Sequence, residues 1–200
     1  MSISSVKTGA IGVSLLAGNA FFLPNSFDSI ATVTVGSGGT TTISFSSIPS
    51  TYTHLQLRGI ATSARATYAL DGMLMRFNSD TGSNYSFHYL RGNGSAAQAA
   101  AGTSTTSITV DSTIPSTAAS NVFGDFVIDI LDYADTNKYK TLRSLGGFDV
   151  NGTVSGVGGY VVLGSGNWRS TSAISSISIT TDYGSNFQQY SHFALYGIKA

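Results

Sequence analysis

The sequence contains no glutamate and no cysteine, and only 10% of its 200 residues are charged. All ten acidic residues are aspartate, while Gly, Ser and Thr together supply 77 residues. Glutamate favours helices, whereas Gly, Ser and Thr favour them weakly. The abundant Thr, Val, Ile, Tyr and Phe suit strands, and Gly, Asn, Asp and Ser suit the turns between them. We therefore predict an all-β protein.

The missing residue types also exclude several kinds of chemistry. Without cysteine there are no disulfides and no thiolate metal sites. Four Lys and six Arg balance ten Asp, and no basic run occurs, which argues against nucleic-acid binding through phosphate contacts. An average soluble domain carries about 25% charged residues. The neutral surface is typical either of a secreted or particle-bound protein kept soluble by hydroxyls, or of one covered by copies and partners, and we favour the second.

The length and the hydrophobic content fit a single large domain. Two hundred residues suffice for one β-sandwich or barrel, and 42% hydrophobic residues can fill its core. We predict an N-terminal arm at residues 1–29, used for docking or oligomer contact, and a β-sandwich domain at 30–200. Lys7 before an apolar stretch at 11–20 also allows a signal peptide, but Gly and Ser interrupt that stretch. It is too short and too polar for membrane insertion.

Alternating apolar residues predict nine or ten strands and no helix. The segments 30–35 and 40–45 read as a hairpin around a glycine-rich turn. The strongest core strand is 121–131, whose Phe126, Ile128 and Ile130 share one face. In a predicted strand at residues 69–77, Met73, Met75 and Phe77 likewise share a face. Residues 91–106, rich in Gly, Ala and Ser, are expected to form an exposed loop. The favoured architecture is a two-sheet β-sandwich of jelly-roll type, with a single closed barrel as the alternative.

Aspartates are densest at residues 125–135, where they could serve as an acid–base pair or bind calcium. We favour outward-facing strand residues followed by an Asp-rich turn. Asn78, Asp80, Thr81 and Asn84 could likewise ring a hard cation, but a turn held by side-chain hydrogen bonds explains the same residues.

Motifs for catalysis and metal binding are missing from the sequence. His54, His88 and His192 are far apart and lack the spacing of a metal site. No G-x-S-x-G elbow and no phosphate-binding loop occurs. We therefore expect a non-enzymatic protein with no catalytic residue, no metal and no cofactor.

The aromatic residues give the best indication of binding. Trp168 is the only tryptophan, and its neighbours Asn167 and Arg169 could donate hydrogen bonds while the indole stacks on a sugar ring. Tyr133 and Asn137 form a similar, weaker cluster. The alternative is that the indole folds back to cap the sandwich or is buried against another subunit.

Several runs of residues carry a resemblance that extends over nearly the whole chain. It resembles virion structural proteins of tailed bacteriophages, particularly phages of aquatic bacteria, in residues 9–19, 85–94, 126–134, 137–144 and 190–199. The resemblance implies a role in the particle, as capsid decoration or as a tail or tail-fibre module. It implies no active-site residue.

These observations lead to one main functional hypothesis and two alternatives. The first is a non-enzymatic virion protein, made in the host cytoplasm, that forms a homotrimer and assembles with other virion proteins. The second is a carbohydrate-binding adhesin for host attachment that recognises surface polysaccharide through residues 167–169. The third, a polysaccharide hydrolase or lyase, is disfavoured because the chain lacks glutamate and any paired-acid motif.

Overall fold

The computed structural model describes residues 26–66, 68–154 and 157–199, so nearly all of the predicted arm at 1–29 lies outside the described residues. Within them the chain forms twelve strands and no helix, and hence no helix able to cross a membrane. The all-β prediction is confirmed. The strands are β1 (Phe27–Thr34), β2 (Thr42–Phe45), β3 (His54–Ser63), β4 (Asp71–Phe77), β5 (Tyr85–Gly92), β6 (Ala97–Thr105), β7 (Ile108–Pro115), β8 (Gly124–Leu131), β9 (Lys140–Val154), β10 (Val157–Trp168), β11 (Ile177–Thr181) and β12 (His192–Ile198).

The strands form a large and a small sheet. The large sheet has the order β1-β12-β3-β8-β9-β10-β5-β6, and the small sheet has the order β2-β11-β4-β7. All the pairings within them are antiparallel. A short parallel contact between β3 and β7, at Thr62↔Ile114 and Ser63↔Pro115, joins the two into one network. This fits the predicted sandwich-like fold, while the jelly-roll topology stays a prediction.

The core lies where the apolar faces of the two sheets meet. In β8 the side chains of Phe126, Ile128 and Ile130 are buried, whereas Asp125 is exposed and Val127 and Asp129 are half-buried on the other face. In β4 of the small sheet, Met73, Met75 and Phe77 are buried in the same cluster. Successive strand residues point to opposite faces, so this period-two pattern gives each sheet one inner face. The predicted inner residues of these strands are confirmed.

The predicted hairpin of residues 30–35 and 40–45 is wrong. The chain does turn at 36–39, but β1 pairs with β12 and β2 pairs with β11. The two segments therefore belong to different sheets. Alternation of apolar and polar residues shows that a segment is a strand, but it does not show which strand it pairs with. Here each segment pairs with a strand that is distant in the sequence.

The predicted loop at 91–106 is also wrong, because most of it is the strand β6. Its side chains are mostly exposed, as expected, but its backbone pairs with β5 from Gly92↔Ala97 to Tyr85↔Thr105. Backbone pairing needs no apolar side chains. Gly102 also leaves room for the Phe87 ring, since a Cβ there would lie 2.5 Å from a ring carbon. The pattern missed β7 as well, whose residues Asp111, Ser112 and Thr113 are polar and buried.

Candidate interaction surface

The predicted sugar-stacking residue, Trp168, is the last residue of β10 rather than part of a loop. Its side chain is 2% exposed, with ring centroids 5.6 Å from Phe77 and 6.3 Å from Tyr85. Its Nε1 donates a hydrogen bond of 2.7 Å to Asp80 Oδ2. The indole has no free face for a sugar ring, so the glycan prediction is corrected here in favour of the alternative in which the indole folds back.

The Asp80 turn holds this indole in place. Besides Trp168, the carboxylate accepts hydrogen bonds from the Gly82 amide (2.8 Å) and from Asn84 Nδ2 (3.0 Å). These three donors, Trp168 first, lower the pKa of Asp80. The turn interpretation is confirmed, because N–H groups occupy the oxygens that a cation would need.

The second predicted cluster is likewise built into the structure. Tyr133 is fully buried, and its hydroxyl donates to the Pro49 carbonyl while the Tyr52 amide donates to it. Burial raises the pKa of the Tyr133 phenol. Asn137 is exposed, and its amide donates to Asp135 Oδ1 at 2.7 Å. The ring of Tyr133 offers no surface to a ligand.

Asn167 and Arg169 flank the buried indole. The Asn167 side chain donates to the Lys140 carbonyl at 3.2 Å, and Arg169 is exposed, with its amide bound to the Asn84 carbonyl. Only Asn137 and Arg169 of the five predicted site residues are therefore exposed.

Lys140 has a structural role that sequence reasoning missed. Its side chain is 1% exposed, and its ammonium donates to the carbonyls of Asp135, Lys138 and Thr171. Desolvation lowers the pKa of this lysine. Three carbonyls match the three N–H donors of an ammonium group, so Lys140 joins the Asp-rich turn to the segment after β10. The sequence could not predict this role, because one of the three carbonyls belongs to Thr171, far from Lys140 in the chain.

The three histidines lie in β3, β5 and β12, and two of them form a hydrogen bond with a neighbouring residue. His54 Nδ1 accepts the Asp132 amide at 2.9 Å, and His192 Nδ1 lies 3.0 Å from Thr34 Oγ1. Over the described ranges no group of three or more His, Asp or Glu side chains could hold a metal ion.

The outer face of the large sheet carries an apolar patch at its centre. The patch consists of side chains from β5, β8, β9 and β10, namely Leu90, Val127, Leu145, Val161 and Leu163. Leu163 lies directly opposite Leu90 on one side and Leu145 on the other, and Leu145 lies opposite Val127. Leu90, Leu145, Val161 and Leu163 are 52–64% exposed. We call this set the outer patch.

Charged groups beside the outer patch balance one another. Arg143 binds Asp129 at 3.1 Å, and Gln56 also donates to that carboxylate. Arg58 and Asp125 are exposed on the same face. The face therefore has a neutral border of both signs around an apolar centre, which suits contact with a similarly neutral surface.

The edge strand β6 continues the outer patch. It pairs only with β5, and Ala99 lies opposite Leu90. Its sequence AQAAAGTST has nine residues without a charge or a proline. Soluble proteins usually protect a long edge strand with charges, prolines or shortness, because its free N–H and C=O groups can pair with another strand. Together, the outer patch and β6 form the candidate interaction surface.

Comparison of the chain with protein-family models, with curated proteins and with solved structures gave no match.

Proposed function

We propose that this protein is a non-enzymatic structural subunit of a phage virion, either capsid decoration or a tail or fibre module. It acts by assembling with copies of itself, as a homotrimer, and with neighbouring virion proteins. The observation that carries the assembly role is the outer patch, continuous with the unprotected edge of β6. The likeness of residues 85–94, 126–134 and 190–199 to virion proteins supports the location.

The energetics favour covering this surface. Burying a fully exposed Leu or Val side chain contributes about 1.5–3 kcal/mol, so each half-exposed member of the outer patch would contribute about 1 kcal/mol. Soluble monomeric proteins rarely expose a contiguous apolar patch of more than about a few hundred Å² unless the patch is a binding site. The outer patch and the side chains of β6 are both uncharged, so contact between subunits through this surface meets no charge repulsion.

The test is the oligomeric state of the purified full chain, measured by sedimentation and by light scattering across a range of concentrations. We expect a trimer for the natural sequence. The double substitution Leu145→Lys with Leu163→Lys should give a folded monomer, because it places charges in the outer patch. The matched control is Tyr139→Lys, at a 52% exposed residue in the turn before β9. A natural chain that stays monomeric at high concentration overturns the assembly role.

The virion location needs a separate test. Antibodies against the purified chain should label the particles of the phage that encodes it, at repeated positions on the head or the tail. Particles that bind no antibody would contradict the virion location but not the assembly role.

A carbohydrate-binding adhesin is the second candidate. The burial of Trp168 removes its original basis at residues 167–169. A cavity lined by Phe87 and Tyr89, on the face of β5 opposite to Leu90, favours it instead.

A further inference from the structure

The edge strand β6 has room for one more strand beside it. It ends the large sheet, and no strand other than β5 pairs with it in the described part of the chain. The seven residues from Ala97 to Thr103 pair with β5 in regular register, and the register shift comes only beyond Thr103. In an antiparallel ladder alternate residues direct their N–H and C=O groups away from the partner strand. On the free side of β6 these groups can therefore pair with an added strand.

The other sheet edges of the described chain are protected against such an addition. The opposite edge of the large sheet, β1, carries the ion pair of Asp28 with Lys199. In the small sheet, the edge strand β2 has only four residues, and β7 ends at Pro115. Charge, shortness and proline are the usual means by which proteins block strand addition. None of them occurs in the seven regularly paired residues of β6.

A shallow groove of about 700 Å³ runs beside β6 on the outer face of the sheet. Leu90 and Leu163 of the outer patch line one side of it, and Ala99 and Ala101 of β6 line the other. Ala99 lies opposite Leu90, so both alanines point to the face of the outer patch. Because alanine is small, the apolar side chains of an added strand can pack over β6 toward the leucines. We call this space the β6 groove.

The sequence before β1 contains a segment that suits this position. Residues 11–15 read Ile-Gly-Val-Ser-Leu, in which large apolar residues alternate with small ones. This is the pattern of a strand with one apolar face. Residues 8–23 contain no charged residue and no proline, and the same is true of β6. The two segments can therefore pair without the burial of an unpaired charge.

The length of the chain favours a neighbouring subunit as the one that accepts this segment. The large sheet has β1 at one edge and β6 at the other, with six strands between them. Seven spacings of about 4.8 Å separate the two edges by roughly 34 Å along the sheet. The connection at 16–25 has ten residues and spans at most about 36 Å. Within one subunit the whole connection would have to be fully extended, whereas a neighbouring subunit can lie close to β1.

We propose that residues 11–15 of one subunit add as a strand to β6 of the next, with Ile11, Val13 and Leu15 on the face of the outer patch. Main-chain hydrogen bonds hold the added strand, and the β6 groove accepts its apolar side chains. Each subunit then donates one strand and accepts one, which is the head-to-tail contact that can close into a ring. The inference rests on the proposed assembly role and names the two segments that would carry it.

The experiment is disulfide cross-linking of the full chain, which has no cysteine of its own. Val13→Cys is combined in turn with Ala97→Cys, Ala99→Cys and Ala101→Cys, and each double variant is oxidised under mild conditions. A disulfide forms only where the two Cα atoms lie within about 4.4–6.8 Å of each other. For at least one of the three pairs, we expect covalent dimers and trimers on a denaturing gel without reductant.

The matched controls move a cysteine by one residue. Val13→Cys with Gln98→Cys or with Ala100→Cys should give at least fivefold less covalent oligomer than the best pair, because these side chains point to the other face of β6. Ser14→Cys should show the opposite preference, since neighbouring residues of a strand face opposite sides. Circular dichroism checks that each variant is folded.

Two results would overturn the proposal even if the pairs react. One is a disulfide within a single subunit, seen as loss of free thiols without a covalent dimer, and the other is equal cross-linking on both faces of β6. Sedimentation of the natural chain separates this inference from the assembly role. A natural trimer in which no pair cross-links refutes the strand addition and leaves the assembly role standing, whereas a natural monomer refutes both.

Discussion

At the scale of single residues, the buried polar groups set the character of this protein. Asp80 and Lys140 are fully satisfied by neighbours, whereas Asp111 keeps one carboxylate oxygen without a partner among the described residues. Burial raises the pKa of Asp111, and of Asp71 in β4, while the hydrogen bond from Trp168 lowers the pKa of Asp80. Stability should therefore depend on pH in opposite directions at these two kinds of site.

The hydrogen bond between Trp168 and Asp80 can be tested by Trp168→Phe, which keeps an aromatic ring but removes the donor. We expect the free energy of unfolding to fall by about 1–2 kcal/mol at neutral pH. Because the folded-state pKa of Asp80 is lowered, this contribution is present above the ordinary aspartate pKa and is lost as pH falls through the folded value. Urea denaturation followed by circular dichroism should show the variant losing less stability on acidification than the natural chain. An equal loss in both would contradict the role of this bond.

Asp111 should impose the opposite dependence. Its folded pKa of about 8 exceeds the unfolded value of about 3.9, so between these pH values the folded state holds one extra proton. The free energy of unfolding should decrease as pH rises through this window and level off above it. Asp111→Asn should reduce that slope by one proton in denaturation measured at a series of pH values. A slope that Asp111→Asn leaves unchanged would contradict the raised pKa of Asp111.

At the scale of elements, the close approach of β9 to its neighbours depends on a glycine, which has no side chain. β9 passes beneath Asp111 with Gly146, where a Cβ would lie 1.9 Å from Asp111 Oδ2 and 2.4 Å from the Asp125 carbonyl oxygen. The neighbouring β8 and β10 hold this strand on both sides, so it has little room to shift. A methyl group is therefore a substantial change at this position.

We predict that Gly146→Ala lowers the free energy of unfolding by about 3 kcal/mol, since overpacking a tight site forces the surrounding atoms to move. Gly36→Ala is the matched control, because a Cβ at Gly36 meets nothing within 4 Å. Thermal and urea unfolding of both variants would measure the difference. Similar small effects for the two would show that the strand relaxes freely around Asp111.

At the scale of the whole molecule, the charge content and the outer patch belong together. A protein with 10% charged residues and half-exposed leucines on its largest sheet has little to keep copies apart. Oligomerisation stabilises the folded state by mass action, so its effect depends on protein concentration.

The midpoint of thermal unfolding, Tm, should accordingly rise with protein concentration for the natural chain. In the Leu145→Lys and Leu163→Lys double variant this dependence should disappear, because its folded state is a monomer. Scanning calorimetry over a hundredfold range of concentration would measure both. A Tm independent of concentration in the natural chain would argue against assembly through the outer patch.

The sequence by itself determined the fold class and the inner faces of its best strands. Composition and period-two alternation are local properties, so β4 and β8 could be recognised without knowing their partners. The turn at Asp80 was recognisable for the same reason, because an aspartate and the amides two to four residues later need only each other.

The tertiary structure alone decided what pairs with what. It separated β1 from β2, turned residues 97–105 into an edge strand, and buried Trp168 against Asp80, which is 88 residues away in sequence. The position of Asp111 depends on a bulge in β7 and on Gly146 of β9. These contacts join residues far apart in the chain, and no local propensity specifies which of many possible partners a strand or a side chain will meet.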